Sequence, residues 1–162
     1  MTRHMYDGSF LYRILGEFVE TCGFMYNNTK YLNLGVIFGG KDLGKLYDIT
    51  LEDEKDTLFV KVRGFFKEED AKVYLSEFQT MVNTIDPSNY TLIVDAREQE
   101  PVEKNVMGDI IAVLNIYLRA KFKKLIIVNP TSQTLKKQVE KCVKEVDFKG
   151  TFVCSLEEAY NL

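Results

Sequence analysis

The chain has 162 residues, 46% hydrophobic and 28% charged, with a net charge of −3 and a pI near 5.3. That length suits one domain with a sizeable core, or one domain with an appendage. Its lysines are scattered among acids, which argues against nucleic acid as the main partner, because neutralising phosphates takes a basic patch.

Residues 1–45 read as an N-terminal extension. Ser9 is placed to cap a short helix over Phe10–Glu20, whose apolar residues recur at helical spacing, and Gly23 is a plausible stop. An aromatic stretch with Phe24, Tyr26 and Tyr31 follows, then glycines at 35, 39, 40 and 44. Gly35 and Gly40 have the separation of a phosphate-binding loop, and Lys41 follows them. Asp42 stands where a hydroxyl residue should bind magnesium, and Gly44 opposes a helix, so a linker or a strand and turn is the preferred reading.

From Tyr47 the pattern becomes regular. Tyr47, Ile49 and Leu51 alternate with polar residues, as do Leu58, Val60 and Val62, and a charged turn separates the two runs. This predicts an antiparallel hairpin ending at Gly64. A helix is expected over 67–85, with Ala71, Tyr74, Leu75, Phe78, Met81, Val82 and Ile85 as its apolar stripe. Asp86-Pro87-Ser88 breaks it. Residues 90–95, Tyr-Thr-Leu-Ile-Val-Asp, form an apolar run ending in a carboxylate. Such a run reads as a strand buried on both faces, and in α/β sheets ligands gather where strands end.

A second helix is expected over 103–120, a strand over 124–128, and a third helix capped by Thr131 or Ser132 with Leu135, Val139, Cys142, Val143 and Val146 inward. A short strand over 150–154 and a closing turn of helix capped by Ser155 complete a β-β-α-β-α-β-α-β-α order. The fold class is therefore α/β, a mixed, mostly parallel sheet of about four to five strands with flanking helices. Lys121, Lys123, Lys124, Lys136 and Lys137 read as solvated helix ends and faces. Cys22, Cys142 and Cys154 are odd in number and form no Cys-x-x-Cys pair, and the single histidine is His4, so neither a zinc site nor another cofactor is expected. Cys142 and Cys154 are expected as buried free thiols. With no membrane-length apolar run and no basic-then-apolar leader, a cytoplasmic setting without a membrane partner is the expectation.

On the leading hairpin, the helix after Gly64, the strand Thr91–Asp95, and Lys124–Val128 followed by a Ser/Thr-capped helix, residues 46–162 resemble a STAS domain. The likeness is to its SpoIIAA-like branch, the bacterial anti-sigma-factor antagonists. That resemblance implies a regulatory module acting through protein contacts, switched in those antagonists by phosphorylation of a serine just after the strand that Thr91–Asp95 matches. Here Asp95 is followed by Ala96-Arg97-Glu98-Gln99-Glu100-Pro101, with no Ser or Thr between Ala96 and Pro130. The switch hydroxyl is missing, and Glu98 and Glu100 would repel added phosphate.

Two sets of candidate contact residues remain. Asp95, Arg97, Glu98 and Glu100 follow one strand, while Asn129, Thr131 and Ser132 follow another; if those strands are neighbours, the groups converge. Asp95 as a base and Arg97 as an anion ligand would make a small-ligand or catalytic site. With no nucleophile–base pair and no metal set, the preferred reading is that Asp95 accepts backbone hydrogen bonds and Arg97 pairs with a nearby acid. Phe10, Phe24, Tyr26 and Tyr31 are the second set, either padding the domain or docking on another subunit. The leading expectation is a non-enzymatic interaction module that is an oligomer or assembly member. A structural subunit of a larger ordered particle, such as a phage-tail-like assembly, and a small-ligand binder or enzyme using the crevice after Asp95 are the alternatives.

Overall fold

The computed structural model describes residues 45–162. The expected helix over 10–20, the glycine-punctuated stretch, Cys22 and the candidate contacts Phe10, Phe24, Tyr26 and Tyr31 lie outside the described residues. Strands β1 (Tyr47–Glu52) and β2 (Thr57–Gly64) form the hairpin, in register from Tyr47↔Val62 to Glu52↔Thr57. One 3-10 turn, Asp53–Lys55, joins them, and Asp56 reverses the chain at φ 47°. At the other end of β2, Gly64 adopts φ 66°, a left-handed backbone that costs glycine least. Its position at the end of the strand is where a reversal towards the helix layer is required.

Helix α1 spans Glu68–Val82. Asp70 accepts a hydrogen bond from the Lys67 backbone N–H at 3.0 Å, and the acidic first turn suits the positive end of the helix dipole. The helix ends three residues before the expected boundary. Thr84 and Ile85 bond only three residues back, in a tightened turn leading to Asp86-Pro87. Strand β3 (Thr91–Gln99) follows, then helix α2 (Met107–Arg119), β4 (Lys124–Val128), helix α3 (Gln133–Val146), β5 (Thr151–Val153) and helix α4 (Leu156–Tyr160). Helix α2 starts four residues later than expected. Lys104–Val106 forms a 3-10 turn, and neither Glu103 nor Val106 supplies a capping side chain that would start an α-helix sooner. Ser132 and Ser155 do cap α3 and α4, accepting from the backbone N–H groups of Leu135 and Glu158.

The five strands lie in the order β1-β2-β3-β4-β5, with β1 antiparallel and the rest parallel. Alternation along the strands separates two faces. One carries Tyr47, Leu58, Val60, Val62, Leu92 and Val94, all buried beneath α1 and α2. A chain of rings fills this layer: Tyr47 to Tyr74 at 5.0 Å, Tyr74 to Phe78 at 6.0 Å, and Phe78 to Tyr117 at 5.1 Å. Within it the buried hydroxyls of Tyr74 and Tyr117 bond to each other, so each satisfies the other's polar group. Burial raises the pKa of both phenols, so both stay protonated.

Among the described residues, helix cover on the opposite face lies on the β4–β5 side. Ile93, Ile126, Val128 and Val153 pack with Phe59 against Leu156 and Ala159 of α4. At the margin of that cover, the Tyr160 ring stacks on Phe59 at 6.5 Å, and its hydroxyl donates to Glu52. Burial and the Glu52 carboxylate push the Tyr160 pKa up to about 12. Towards β1 the same face carries Asp48, Lys61 and Arg63.

Candidate functional site

Asp95 lies on that second face, between Lys61 of β2 and Val128 of β4 in register. The strand does not stop there, as the apolar run suggested; it continues to Gln99. Between Lys61↔Asp95 and Arg63↔Glu98, β3 advances one residue more than β2, which is a β-bulge. Ala96 is buried, and the next two residues turn their side chains back over the charged face. The polar cluster after the apolar run is thus part of a strand.

Asp95 is only 2% exposed, and burying an unpaired carboxylate would be costly. Arg97 pairs with it. Its Nε donates to Oδ1 at 2.8 Å and its Nη2 to Oδ2 at 2.9 Å, a bidentate fork, while the Arg97 backbone N–H donates to Oδ1 at 3.2 Å. Burial pushes the Asp95 pKa up, but the hydrogen bonds and charge of Arg97, with Lys61 nearby, outweigh it and hold the carboxyl below its ordinary value. The Asp95 carboxylate in turn raises the Arg97 pKa. Both oxygens of the carboxylate are engaged by a cation, so its proton affinity is low, the reverse of what a general base at neutral pH requires.

Neighbouring charges are also paired. Lys61 Nζ lies 2.6 Å from Glu98 Oε1, and Arg63 pairs with Asp48 across the hairpin. The loops after β3 and β4 do meet, as adjacency of those strands requires. Thr131 donates to the Arg97 carbonyl from its hydroxyl at 2.8 Å and from its backbone N–H at 3.4 Å. Asn129 bonds the Val153 carbonyl with its side chain at 3.0 Å, and Ser132 caps α3. Glu100 donates its backbone N–H to the Gly64 carbonyl at 2.9 Å. These groups are brought together, and each of these contacts ties down backbone.

Sequence reasoning overlooked Gln138, whose amide bonds both the N–H and the carbonyl of Val102 and ties the loop before α2 to α3. It also overlooked the pairing of Asp48, Lys61 and Arg63. Their signal was present, since all three occupy polar positions of the hairpin alternation. Cys142 is buried, but Cys154 is exposed, one residue beyond the three-residue β5 and outside the packed face. Among the described residues no three His, Cys, Asp or Glu side chains converge as a metal site would require, and no helix is long and apolar enough to cross a membrane.

No protein-family profile matches the chain, and no curated protein does. Among solved structures it is similar to a protein from Shewanella loihica PV-4, described as an uncharacterized protein of the DUF3478 family with a SpoIIAA-like fold. The TM-score is 0.52 at 16% identity, over 71% of this chain and 91% of that one. At that identity the likeness shows the fold alone: the chain has a SpoIIAA-like α/β fold.

Proposed function

We propose that this protein is a non-enzymatic regulatory or interaction module of STAS-like fold, acting through protein contacts in a cytoplasmic setting. The observation that carries this reading is the state of Asp95. The buried carboxylate at the centre of the sheet is closed by a bidentate arginine on its own strand, so the position where this fold class would place chemistry is used as scaffold. The absence of Ser and Thr from 96–130 favours an interaction that does not depend on a phospho-switch there.

The N-terminal arm, residues 1–45, is the element we assign to a partner or to another subunit, with Phe10, Phe24, Tyr26 and Tyr31 as aromatic anchors. Size-exclusion chromatography with light scattering on the full chain tests this. The expected result is self-association, or co-elution with a partner at fixed stoichiometry, lost in the Phe24→Ala/Tyr26→Ala/Tyr31→Ala variant and retained in Arg97→Ala. A monodisperse monomer that co-elutes with nothing would overturn the reading. So would a small-molecule thermal-shift response abolished by Asp95→Ala, which would restore a ligand site at the strand.

A further inference from the structure

The lysines after α2 do more than decorate a helix end. Lys121, Lys123, Lys124 and Lys149 rim a cleft of about 570 Å³ at the N-terminal ends of β4 and β5, floored by Leu118, Leu125 and neighbouring apolar side chains. Among the described residues no acidic side chain lines it. The Lys149 ammonium pairs with Asp147 at 2.6 Å on a well-exposed rim, and Lys124 Nζ donates to the main-chain oxygen of Leu162. Lys121 and Lys123 are exposed.

The backbone holds these side chains outward. The Lys123 N–H donates to the carbonyls of Tyr90 and Pro87, at 2.9 and 3.2 Å. Lys121 adopts φ 57°, a left-handed conformation that favours glycine, so a lysine stands where glycine would be the easier residue. A cation just past the C-terminus of α2 also complements that helix's dipole. A glycine substitution separates the two roles, since it relaxes the backbone while removing the charge.

We infer that this cleft is a docking site for an acidic segment of a partner protein, one that carries apolar residues among its Asp and Glu side chains. Charge selects an anion, and the apolar floor selects against a purely ionic one. A nucleic acid fits less well. Glu52, Asp53, Glu54 and Asp56 precede Thr57, which shares a register row with Thr91 and Lys124. An extended phosphate backbone leaving the cleft along that edge would meet them. This surface shares no residue with Asp95 or the N-terminal arm, so its failure and the failure of the proposed function are separable.

Fluorescence anisotropy of the full chain with a fluorescein-labelled peptide of alternating Glu and Leu is the test, at about 50 and about 300 mM salt. Saturable binding that weakens with salt is expected, reduced about fivefold or more in Lys121→Gly/Lys123→Ala. The same peptide should bind unchanged to Lys137→Ala/Lys141→Ala on α3, which removes the same charge elsewhere. Unfolding of Lys121→Gly should occur at the same temperature as the parent or higher. Absence of saturable binding at the lower salt, equal loss in the α3 variant, or equal competition by an oligothymidylate of matched charge would each overturn the inference.

Discussion

On the face beneath α1 and α2, the inward residues of β1, β2 and β3 are apolar, and the aromatic chain from Tyr47 to Tyr117 seals them from water. On the other face the same strands present Asp48, Lys61, Arg63 and Asp95, and among the described residues only the β4–β5 side has a helix above it. The contrast arises from cover and not from strand chemistry. Beneath two long helices burial favours the pairing of polar groups, as the Tyr74 and Tyr117 hydroxyls show. A face with one five-residue helix accepts charge where each charge has a partner, on a neighbouring strand for Lys61 and Arg63 and on the same strand for Asp95. Asp95 marks the boundary, buried like a core residue and paired like a surface one.

Substitutions on the two faces sharpen that contrast, the largest effect first. Phe78→Ala opens the centre of the ring layer, where Phe78 is 0% exposed, and should cost about 3–5 kcal/mol in chemical denaturation. Arg97→Ala leaves the Asp95 carboxylate buried and unpaired. Because Arg97 itself is 38% exposed and water can partly replace it, the expected cost is about 1–3 kcal/mol. A loss equal to that of Phe78→Ala would mean the open face is as dry as the covered one. The pH dependence carries a definite sign. Asp95 is held below its ordinary 3.8, so its contribution is fully present above that pH and fades as pH falls through the folded-state value. The stability gap between the parent and Asp95→Asn, measured first at about pH 6, should therefore narrow below pH 3.8.

Tyr117→Phe strands the Tyr74 hydroxyl in the dry layer and should cost about 1–2 kcal/mol. Adding Tyr74→Phe should cost less than a second independent loss, and a double-mutant cycle reads that coupling. Additive losses would show that the two hydroxyls do not depend on each other. Tyr160→Phe removes a hydroxyl whose acceptor, Glu52, lies at the half-covered margin, and should shift stability by about 0.5 kcal/mol or less. A larger loss would show that α4 and Glu52 hold the second face together more tightly than its exposure implies.

Much of the architecture could be read from residue order. The alternation of Tyr47, Ile49 and Leu51 against Leu58, Val60 and Val62 specified the hairpin, and the stripe from Ala71 to Val82 specified α1, because these periods are local consequences of backbone geometry. Ser132 and Ser155 marked helix starts for the same reason. The candidate site was legible in part. Asp95 and Arg97 stand out as charges beside an apolar run, yet the run ends at Asp95 while the strand continues to Gln99. A bulge adds a residue without any compositional mark, so the continuation to Gln99 and the return of Arg97 over Asp95 left no trace in the periodicity.

The sequence by itself determined the order of elements, the mixed sheet, the absence of Ser and Thr between Ala96 and Pro130, and the residues that fill the ring layer. Each of these depends on neighbours within a few positions, or on which residue types are present at all. Only the tertiary structure decided that the Asp95 carboxylate is occupied by Arg97, that Asp48, Lys61 and Arg63 share one half-face, and that four lysines from two loops and the start of β4 rim one cleft. Those outcomes depend on strand register and on which face a helix covers. Both are set by packing between segments far apart in the chain, where local periodicity carries no information.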